Sequence, residues 1–170
     1  LGVVSQKKHV LFGLNIYSDR DPHVVDYLVA RPESGVASVS DARGKRIAGF
    51  PGSVTKIFIE NIFRQEGVSP NEYTYIELAP KDWQVALQAG SVDVVSVMEP
   101  QATQIISHGA GRVIVKGFFA KLMPEVPLSG HWVTADFAGR LSPDTLASFV
   151  SGYDKAVEFI RDNPDAARML

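Results

Sequence analysis

The sequence contains no cysteine and no apolar run close to the roughly 20 residues that a membrane-spanning helix requires. The lack of cysteine excludes disulfide bonds, thiolate zinc sites and cysteine nucleophiles within these 170 residues. The signatures G-x-S-x-G, H-E-x-x-H and G-x-G-x-x-G are also missing. Nothing in the sequence therefore demands catalysis or nucleotide binding.

Charge is balanced along the chain, with a net value of −2 and both signs interspersed. This pattern gives no basic surface for nucleic acid. A hydrophobic content of 45% in 170 residues suits one globular domain or two small lobes. The chain begins at Leu1 and stops at "NPDAARML", so we expect a fragment whose natural N-terminus and signal peptide lie outside this sequence.

Short β-branched runs alternate with amphipathic stretches, which is typical of βαβ units on a mostly parallel sheet. A polar linker, "SVSDARGK", precedes the first clear unit, and both "HVLFGLNIYS" and "DYLVAR" read as further extended segments. The predicted strands are 46–50, 73–78, 92–98, 112–119 and 131–138, and the predicted helices are 53–65, 80–90, 100–109 and 142–163.

The first helix follows the small-residue turn of "GFPGSVTKIF", and the last follows "SPDT". In the first helix we expect a buried stripe of Ile57, Phe58, Ile62 and Phe63. In the last, Ser142 is the expected N-cap and Pro143 the first residue. Its expected buried stripe comprises Leu146, Phe149, Val150, Tyr153, Val157 and Ile160.

The turn "PGSVT" leads from a strand into a helix, where backbone N–H groups and the positive end of the helix dipole favour an anion. Ser53 and Thr55 add hydroxyl groups. Ser53 is equally suited to capping the helix, and the sequence leaves both roles open.

Glu99 ends a valine-rich strand and is followed by Pro100. Ligands in open α/β sheets lie beyond the carboxyl ends of strands, where Glu99 and Ser53 should both fall. A carboxylate there accepts hydrogen bonds from an amine or hydroxyl, although a solvated acid at a strand end is an equal alternative.

His131 and Trp132 adjoin on a predicted strand, so their side chains should point to opposite faces. We expect Trp132 in the core and keep His131 as a candidate ligand-binding residue. The four histidines, His9, His23, His108 and His131, lack metal-ligand spacing, so no metal site or cofactor is expected.

Four segments are informative in their order: "SVSDARGKRIAGFPGS", "FRQEGVSPNEYTYIEL", "ALQAGSVDVVSVMEPQ" and "ASFVSGYDKAVEFIRDNPDAA". This order resembles that in the substrate-binding proteins of ABC importers for nitrate, taurine and aliphatic sulfonates, in the NMT1/THI5-like superfamily. The resemblance runs from Tyr27 to Ala167. Ala42 in "DARGK" replaces the leucine usual in the family.

The resemblance implies an α/β, two-lobed type II periplasmic binding protein fold (a Venus flytrap) that lacks the start of lobe one. Residues 1–45 would be a remnant of lobe one with a hinge strand. Residues 46–125 would form lobe two, and residues 126–170 the return crossover strand and C-terminal helix. The implied ligand-binding residues are Gly52, Ser53, Val54, Thr55, Glu99 and His131.

The implied function is capture of a small polar or anionic organic solute, of the sulfonate, nitrate or thiamine-precursor pyrimidine type, for delivery to an inner-membrane ABC permease. We expect a monomer, periplasmic or extracellular, with or without a lipid anchor, and no enzyme activity. The alternatives are a THI5-like pyrimidine synthase, which carries a cysteine-rich motif absent here, and the ligand-sensing domain of a LysR-type regulator or a sensor kinase.

Overall fold

The computed structural model describes residues 8–18, 24–124 and 126–170, with backbone alone for residues 12–18 and Val126. Two compact units are present. The sheet unit comprises Tyr17–Leu128, and the terminal unit comprises Leu1–Ile16 with Ser129–Leu170. The sequence-based division of the chain after residues 45 and 125 stays a prediction. His23, one of the four histidines of the sequence, lies outside the described residues.

The sheet unit is built on five strands, numbered β2 to β6 in chain order: β2 is Asp26–Ala30, β3 Arg46–Gly49, β4 Thr74–Glu77, β5 Val94–Met98 and β6 Arg112–Lys116. Their order in the sheet is β4-β3-β5-β2-β6. Strand β3 pairs in parallel with β4 and β5, whereas β2 pairs antiparallel with β5 and β6. The expected mostly parallel sheet is thus a mixed one, because "DYLVA" inserts between two later strands.

Three helices connect these strands and a fourth follows β6, together with short 3-10 turns at Pro32–Ser34, Val39–Ala42 and Pro80–Asp82. The helices are α1 (Thr55–Gln65), α2 (Trp83–Gln88), α3 (Gln101–Ser107) and α4 (Phe118–Leu122). The residues predicted for α1, α2 and α3 are therefore confirmed apart from at most three residues at either end, and helix boundaries commonly differ by one or two residues.

Two hydrophobic clusters cover the two faces of the sheet. One contains Leu28, Ile47 and Val94 of the strands with side chains of α1 and α4, and the other contains Val29, Val95 and Val97 with side chains of α2 and α3. Burying each such side chain contributes about 1.5–3 kcal/mol. In α1, Ile62 and Phe63 are buried as expected and Phe58 is half-buried, but Ile57 is 60% exposed and Ile59 takes its place in the core.

The predicted strand 112–119 is wrong at its end. Strand β6 stops at Lys116, because Gly117 adopts a left-handed conformation with φ 59° and starts α4. The buried carboxylate of Asp26 accepts a hydrogen bond from the Phe119 N–H (2.9 Å), and the Asp26 carbonyl accepts one from the Gly117 N–H (2.8 Å). A side chain 93 residues away thus fixes this turn.

Most residues of a two-stranded sheet, formed by β1 (His9–Ser18) and β7 (Val126–Thr134), belong to the terminal unit. The same unit contains α5 (Ala135–Ala138), α6 (Pro143–Asp162) and α7 (Pro164–Ala167). The extended segment predicted for 131–138 ends at Thr134, whose Oγ1 accepts a hydrogen bond from the Phe137 N–H (3.2 Å) and caps α5.

Helix α6 begins as predicted. Ser142 is the N-cap, its Oγ accepting the Thr145 N–H at 3.1 Å, and Pro143 is the first helical residue. The predicted burial of its apolar stripe is wrong, since no residue of α6 is buried and Phe149, Val157 and Ile160 are 51%, 45% and 57% exposed. Among the described residues no helix is long and apolar enough to cross a bilayer.

Candidate functional site

A pocket of about 380 Å³ lies in the sheet unit where β3 and β5 end. This volume is within the range of small-molecule sites. We call it the strand-end pocket. Its lining residues are Phe50, Ser53, Val54, Thr55, Pro80, Trp83, Ser96, Val97, Met98, Glu99, Gln101, Phe118, Phe119 and Leu128. Four of the six residues expected to bind ligand, Ser53, Val54, Thr55 and Glu99, are therefore brought together.

The turn between β3 and α1 supplies one wall of this pocket. Ser53 Oγ donates a hydrogen bond to the Phe50 carbonyl (2.9 Å) and accepts one from the Thr55 N–H (3.2 Å). The regular helix begins at Thr55 and is preceded by Val54, so Ser53 lies one residue before the N-cap position. Its hydroxyl nevertheless satisfies a donor at the start of the helix, as a capping residue does.

Backbone donors remain free in this turn. Within the described part of the chain, the N–H groups of Ser53 and Val54 donate no hydrogen bond. They lie beside the first turn of an 11-residue helix, whose dipole gives its N-terminus a partial positive charge. The turn thus offers an anion two amide donors without any basic side chain.

Gly52 supports the turn without lining the pocket. Its φ of 59° is a left-handed conformation that glycine adopts without strain. The Gly52 N–H donates a hydrogen bond to Oε1 of Glu77 (3.2 Å), which ties the turn to the end of β4. As a ligand-binding residue Gly52 remains a prediction.

Glu99 is half-buried at the rim formed by β5 and α3. Its Oε2 accepts a hydrogen bond from the Thr103 N–H (3.1 Å), an orphan donor in the first turn of α3. Oε2 of Glu99 therefore already accepts a hydrogen bond from α3, and Oε1 is available to accept one from a ligand. Among the described residues that line the pocket there is no lysine or arginine, and Glu99 is the one charged side chain.

Apolar groups make up most of the remaining wall. Trp83 is 4% exposed, and its indole Nε1 donates a hydrogen bond to the Leu78 carbonyl at 2.9 Å, which fixes the ring. Phe118 and Phe119 are buried, whereas Phe50 and Val54 are 48% and 58% exposed at the mouth. The pocket is thus an apolar cleft with a few polar groups, as is usual for small organic ligands.

Sequence reasoning missed two hydroxyl groups near this pocket. Ser96 on β5 is 3% exposed and lines the pocket, and the hydroxyls of Ser96 and Tyr75 are buried without a hydrogen-bond partner in the described residues. Burial raises the pKa of Tyr75 to about 12, with smaller contributions from Glu77, Tyr73 and Glu60. The only signal in the sequence was a serine within the apolar run "VDVVSVM".

His131 belongs to the terminal unit, and its role in ligand binding stays a prediction. Its ring makes edge contacts with Tyr153 and Phe149, with centroids 4.6 Å and 5.8 Å apart. Trp132 points to the other face of β7 and is 60% exposed, so the expectation that it lies in the core is wrong. No group of three or more metal-ligating side chains occurs in the part of the chain that the structure describes.

A second concavity, of about 660 Å³, runs along α6 between Pro143 and Glu158. All of its lining residues belong to this one helix, so it is an open surface groove. Its polar side chains, Ser151, Asp154, Lys155 and Glu158, come from one helix, whereas those of the strand-end pocket come from several elements.

The chain is similar to several known proteins over about half of their length. It is 29% identical over 144 residues to a putative aliphatic sulfonates-binding protein of Bacillus subtilis (strain 168), covering 84% of this chain and 42% of that protein. The periplasmic aliphatic sulphonate-binding protein SsuA of Escherichia coli has the same fold, with a TM-score of 0.74 at 18% identity over 97% of this chain and 51% of that one.

The fold also occurs in an enzyme. The desulfurization enzyme DszB superposes with a TM-score of 0.66 at 14% identity, covering 94% of this chain and 58% of the enzyme. The sequence model of one family, described as NMT1/THI5 like, matches residues 22–167. The chain therefore belongs to the NMT1/THI5-like family and has the α/β fold of the periplasmic binding proteins in it.

Proposed function

We propose that this chain forms part of a solute-binding protein of an ABC importer and holds the ligand's anionic head group in the strand-end pocket. The observation that carries this proposal is the turn at Ser53 and Val54, two residues with free amides that precede a helix and line an apolar pocket. A sulfonate suits such a site, because its oxygens accept hydrogen bonds and its alkyl group buries against Trp83 and Phe119.

Charge in the pocket favours a ligand that also carries a donor. Of the lining residues that the structure describes, Glu99 is the one with a charged side chain. An amine or amide N–H near Oε1 of Glu99 would offset repulsion between this carboxylate and the ligand's anion. An aminosulfonate therefore fits these residues better than bare nitrate does.

Binding rather than turnover is the activity that these residues support. The lining residues in the described part of the chain include serine and threonine hydroxyls but no histidine or cysteine. The Ser53 hydroxyl is already engaged with the Phe50 carbonyl and the Thr55 amide. A nucleophile requires a neighbouring base. The relatives named as binding proteins support the same conclusion, and they support a periplasmic location and delivery to a membrane permease.

A thermal-shift panel on the full-length protein tests this proposal. The panel comprises taurine, ethanesulfonate, nitrate, bicarbonate, an aminopyrimidine and a polyamine. A ligand at one hundred times its Kd stabilises a protein by about 2.7 kcal/mol, which raises Tm by several degrees. We expect taurine or ethanesulfonate to raise Tm and the polyamine to leave it unchanged. A rise with the aminopyrimidine alone would replace the sulfonate by a pyrimidine ligand.

A further inference from the structure

We propose that the Ser96 hydroxyl binds an oxygen of the ligand's oxyanion, and that Tyr75 is a positioning residue that donates its own hydroxyl proton to Ser96. This inference rests on the proposed function, since it assigns further residues to the same pocket. It adds a second hydrogen-bonding element, on β4 and β5, to the turn at Ser53.

The sheet brings the two hydroxyls to one place. Strand β3 lies between β4 and β5, and Gly49 is its last residue. A Cβ at position 49 would overlap the Tyr75 hydroxyl and would lie 3.1 Å from Ser96 Oγ. The absence of a side chain at Gly49 therefore lets the Tyr75 phenol reach across β3 toward Ser96.

The two residues occupy different positions relative to the pocket. Ser96 lines it, whereas Tyr75 does not. We therefore assign direct contact with the ligand to Ser96, whereas Tyr75 acts on the ligand only through Ser96. In the proposed hydrogen-bond network, the Tyr75 hydroxyl donates to Ser96 Oγ and the Ser96 hydroxyl donates to the ligand. Each hydroxyl is then a donor, and the serine oxygen is also an acceptor.

The energetics give a reason for this arrangement. A buried hydroxyl without a partner costs about 1–3 kcal/mol. The hydroxyls of Ser96 and Tyr75 form no hydrogen bond with each other or with another described residue in this structure. When the Ser96 hydroxyl donates to a bound oxygen, its own oxygen is free to accept from Tyr75, and both hydroxyls are then satisfied. Hydrogen bonds to a charged acceptor are also stronger than those between neutral groups.

The Tyr75 hydroxyl is protonated, as a hydrogen-bond donor must be. Because the pKa of Tyr75 is raised to about 12, its hydroxyl keeps its proton throughout the physiological range. The charged groups around it are Glu77 and Glu60, which raise its pKa, and Lys56, whose Nζ lies 5.8 Å from the ring centroid. A neutral donor pair can hold an oxyanion without a basic side chain.

Tyr73 provides a matched control. Its hydroxyl is also buried without a partner in the described residues, and burial likewise raises its pKa to about 12. Its ring packs against Phe63 at 4.9 Å between centroids, and it does not line the pocket. Tyr73→Phe removes the same chemical group from the same strand region.

The test is calorimetric titration of the full-length protein and its variants with taurine and ethanesulfonate. We expect Ser96→Ala to raise the Kd at least about tenfold and Tyr75→Phe about threefold to tenfold. The double variant should bind like Ser96→Ala, because Tyr75 acts through the serine. Tyr73→Phe should stay within about twofold of wild type, and none of the variants should lower Tm without ligand, since each hydroxyl lacks a partner.

The outcomes separate this inference from the proposed function. Tight binding of a sulfonate by wild type with unchanged Kd in Ser96→Ala would overturn the inference and leave the proposed function in place. Additive losses in the double variant would overturn the role of Tyr75. A wild-type protein that binds neither sulfonate, nor nitrate or bicarbonate, would contradict both the inference and the proposed function.

Discussion

The guanidinium of Arg46 holds the carboxylate of Asp93 at two points, with Nε 3.1 Å from Oδ2 and Nη2 3.1 Å from Oδ1. The Arg46 backbone N–H adds a third hydrogen bond to Oδ2 at 2.9 Å, and Arg31 lies 3.5 Å from Oδ1. These contacts join the start of β3 to the start of β5, at the end of the sheet opposite the strand-end pocket. The pair therefore fixes the alignment of the two strands whose other ends carry the site.

Asp93→Asn should lower the free energy of unfolding by about 2 kcal/mol at pH 7, because two arginines lose their charged acceptor. Burial by itself would raise the pKa of Asp93, but hydrogen bonds from the Arg46 side chain and backbone, and from Arg31, outweigh it and hold the pKa below its usual value. A carboxyl with a lowered pKa in the folded state stabilises above its unfolded pKa of about 3.9, and this contribution is lost as pH falls through the folded value.

Urea unfolding at pH 7 and pH 3 checks this prediction. The difference between wild type and Asp93→Asn should be smaller at pH 3. Asp154→Asn on the exposed side of α6 serves as the control and should change little at either pH. An equal difference for Asp93→Asn at both pH values would show that the carboxylate's charge is irrelevant.

Ser53→Ala should reduce both stability and affinity. It removes the acceptor of the Thr55 N–H and should cost about 1 kcal/mol, the usual value for a capping residue. It also loosens the turn that presents the free amides, so sulfonate binding should weaken.

Ser142→Ala is the matched control for Ser53→Ala, since it removes the cap of α6 through the same kind of hydrogen bond. Urea unfolding should show similar losses of stability for the two variants. Calorimetry should show a weaker affinity for Ser53→Ala alone. If the affinity of both variants equals that of wild type, Ser53 is a capping residue and nothing more.

Glu99→Gln should separate ligands with an amine from those without one. The amide oxygen of glutamine can still accept the Thr103 N–H, so the start of α3 should be retained. Loss of the negative charge should weaken taurine binding about tenfold, as expected for a charge-assisted contact, and leave ethanesulfonate unchanged or tighter. Equal effects on both ligands, measured by calorimetry, would remove Glu99 from the site.

Gly49→Ala should destabilise the protein by about 1–3 kcal/mol, because the new methyl group overlaps the Tyr75 phenol. Gly49→Ala combined with Tyr75→Phe should recover part of this loss, since the hydroxyl that meets the methyl group is gone. Urea unfolding of both single variants and the double variant gives the coupling. Strictly additive losses would show that the two residues do not compete for the same space.

Much of the sheet unit could be predicted from local pattern. The strands at 46–50, 73–78 and 92–98 are short β-branched runs with turn residues on both sides, and their positions are confirmed within two residues. The turn at Ser53 and the acid at Glu99 could be placed at the same edge of the sheet, because carboxyl ends of parallel strands meet there. The strand-end pocket contains both.

The remaining features depend on contacts between distant parts of the chain. The antiparallel insertion of β2, and the stop at Gly117 that Asp26 fixes, leave no local pattern in the sequence. The meeting of Tyr75 with Ser96 across Gly49 is invisible for the same reason. In helix α6 a local pattern is present but its prediction is wrong. The spacing of the apolar residues predicts a buried stripe, and no residue of the helix is buried within the described chain.

The most direct test of the account is an amide NMR titration of the full-length protein with ethanesulfonate. If the turn binds the oxyanion, the N–H resonances of Ser53 and Val54 should move downfield on saturation and should show the largest changes in the spectrum. The Gly52 amide, already bound to Glu77, should move less. Saturable binding with the Ser53 and Val54 resonances unchanged would place the anion elsewhere and contradict the account.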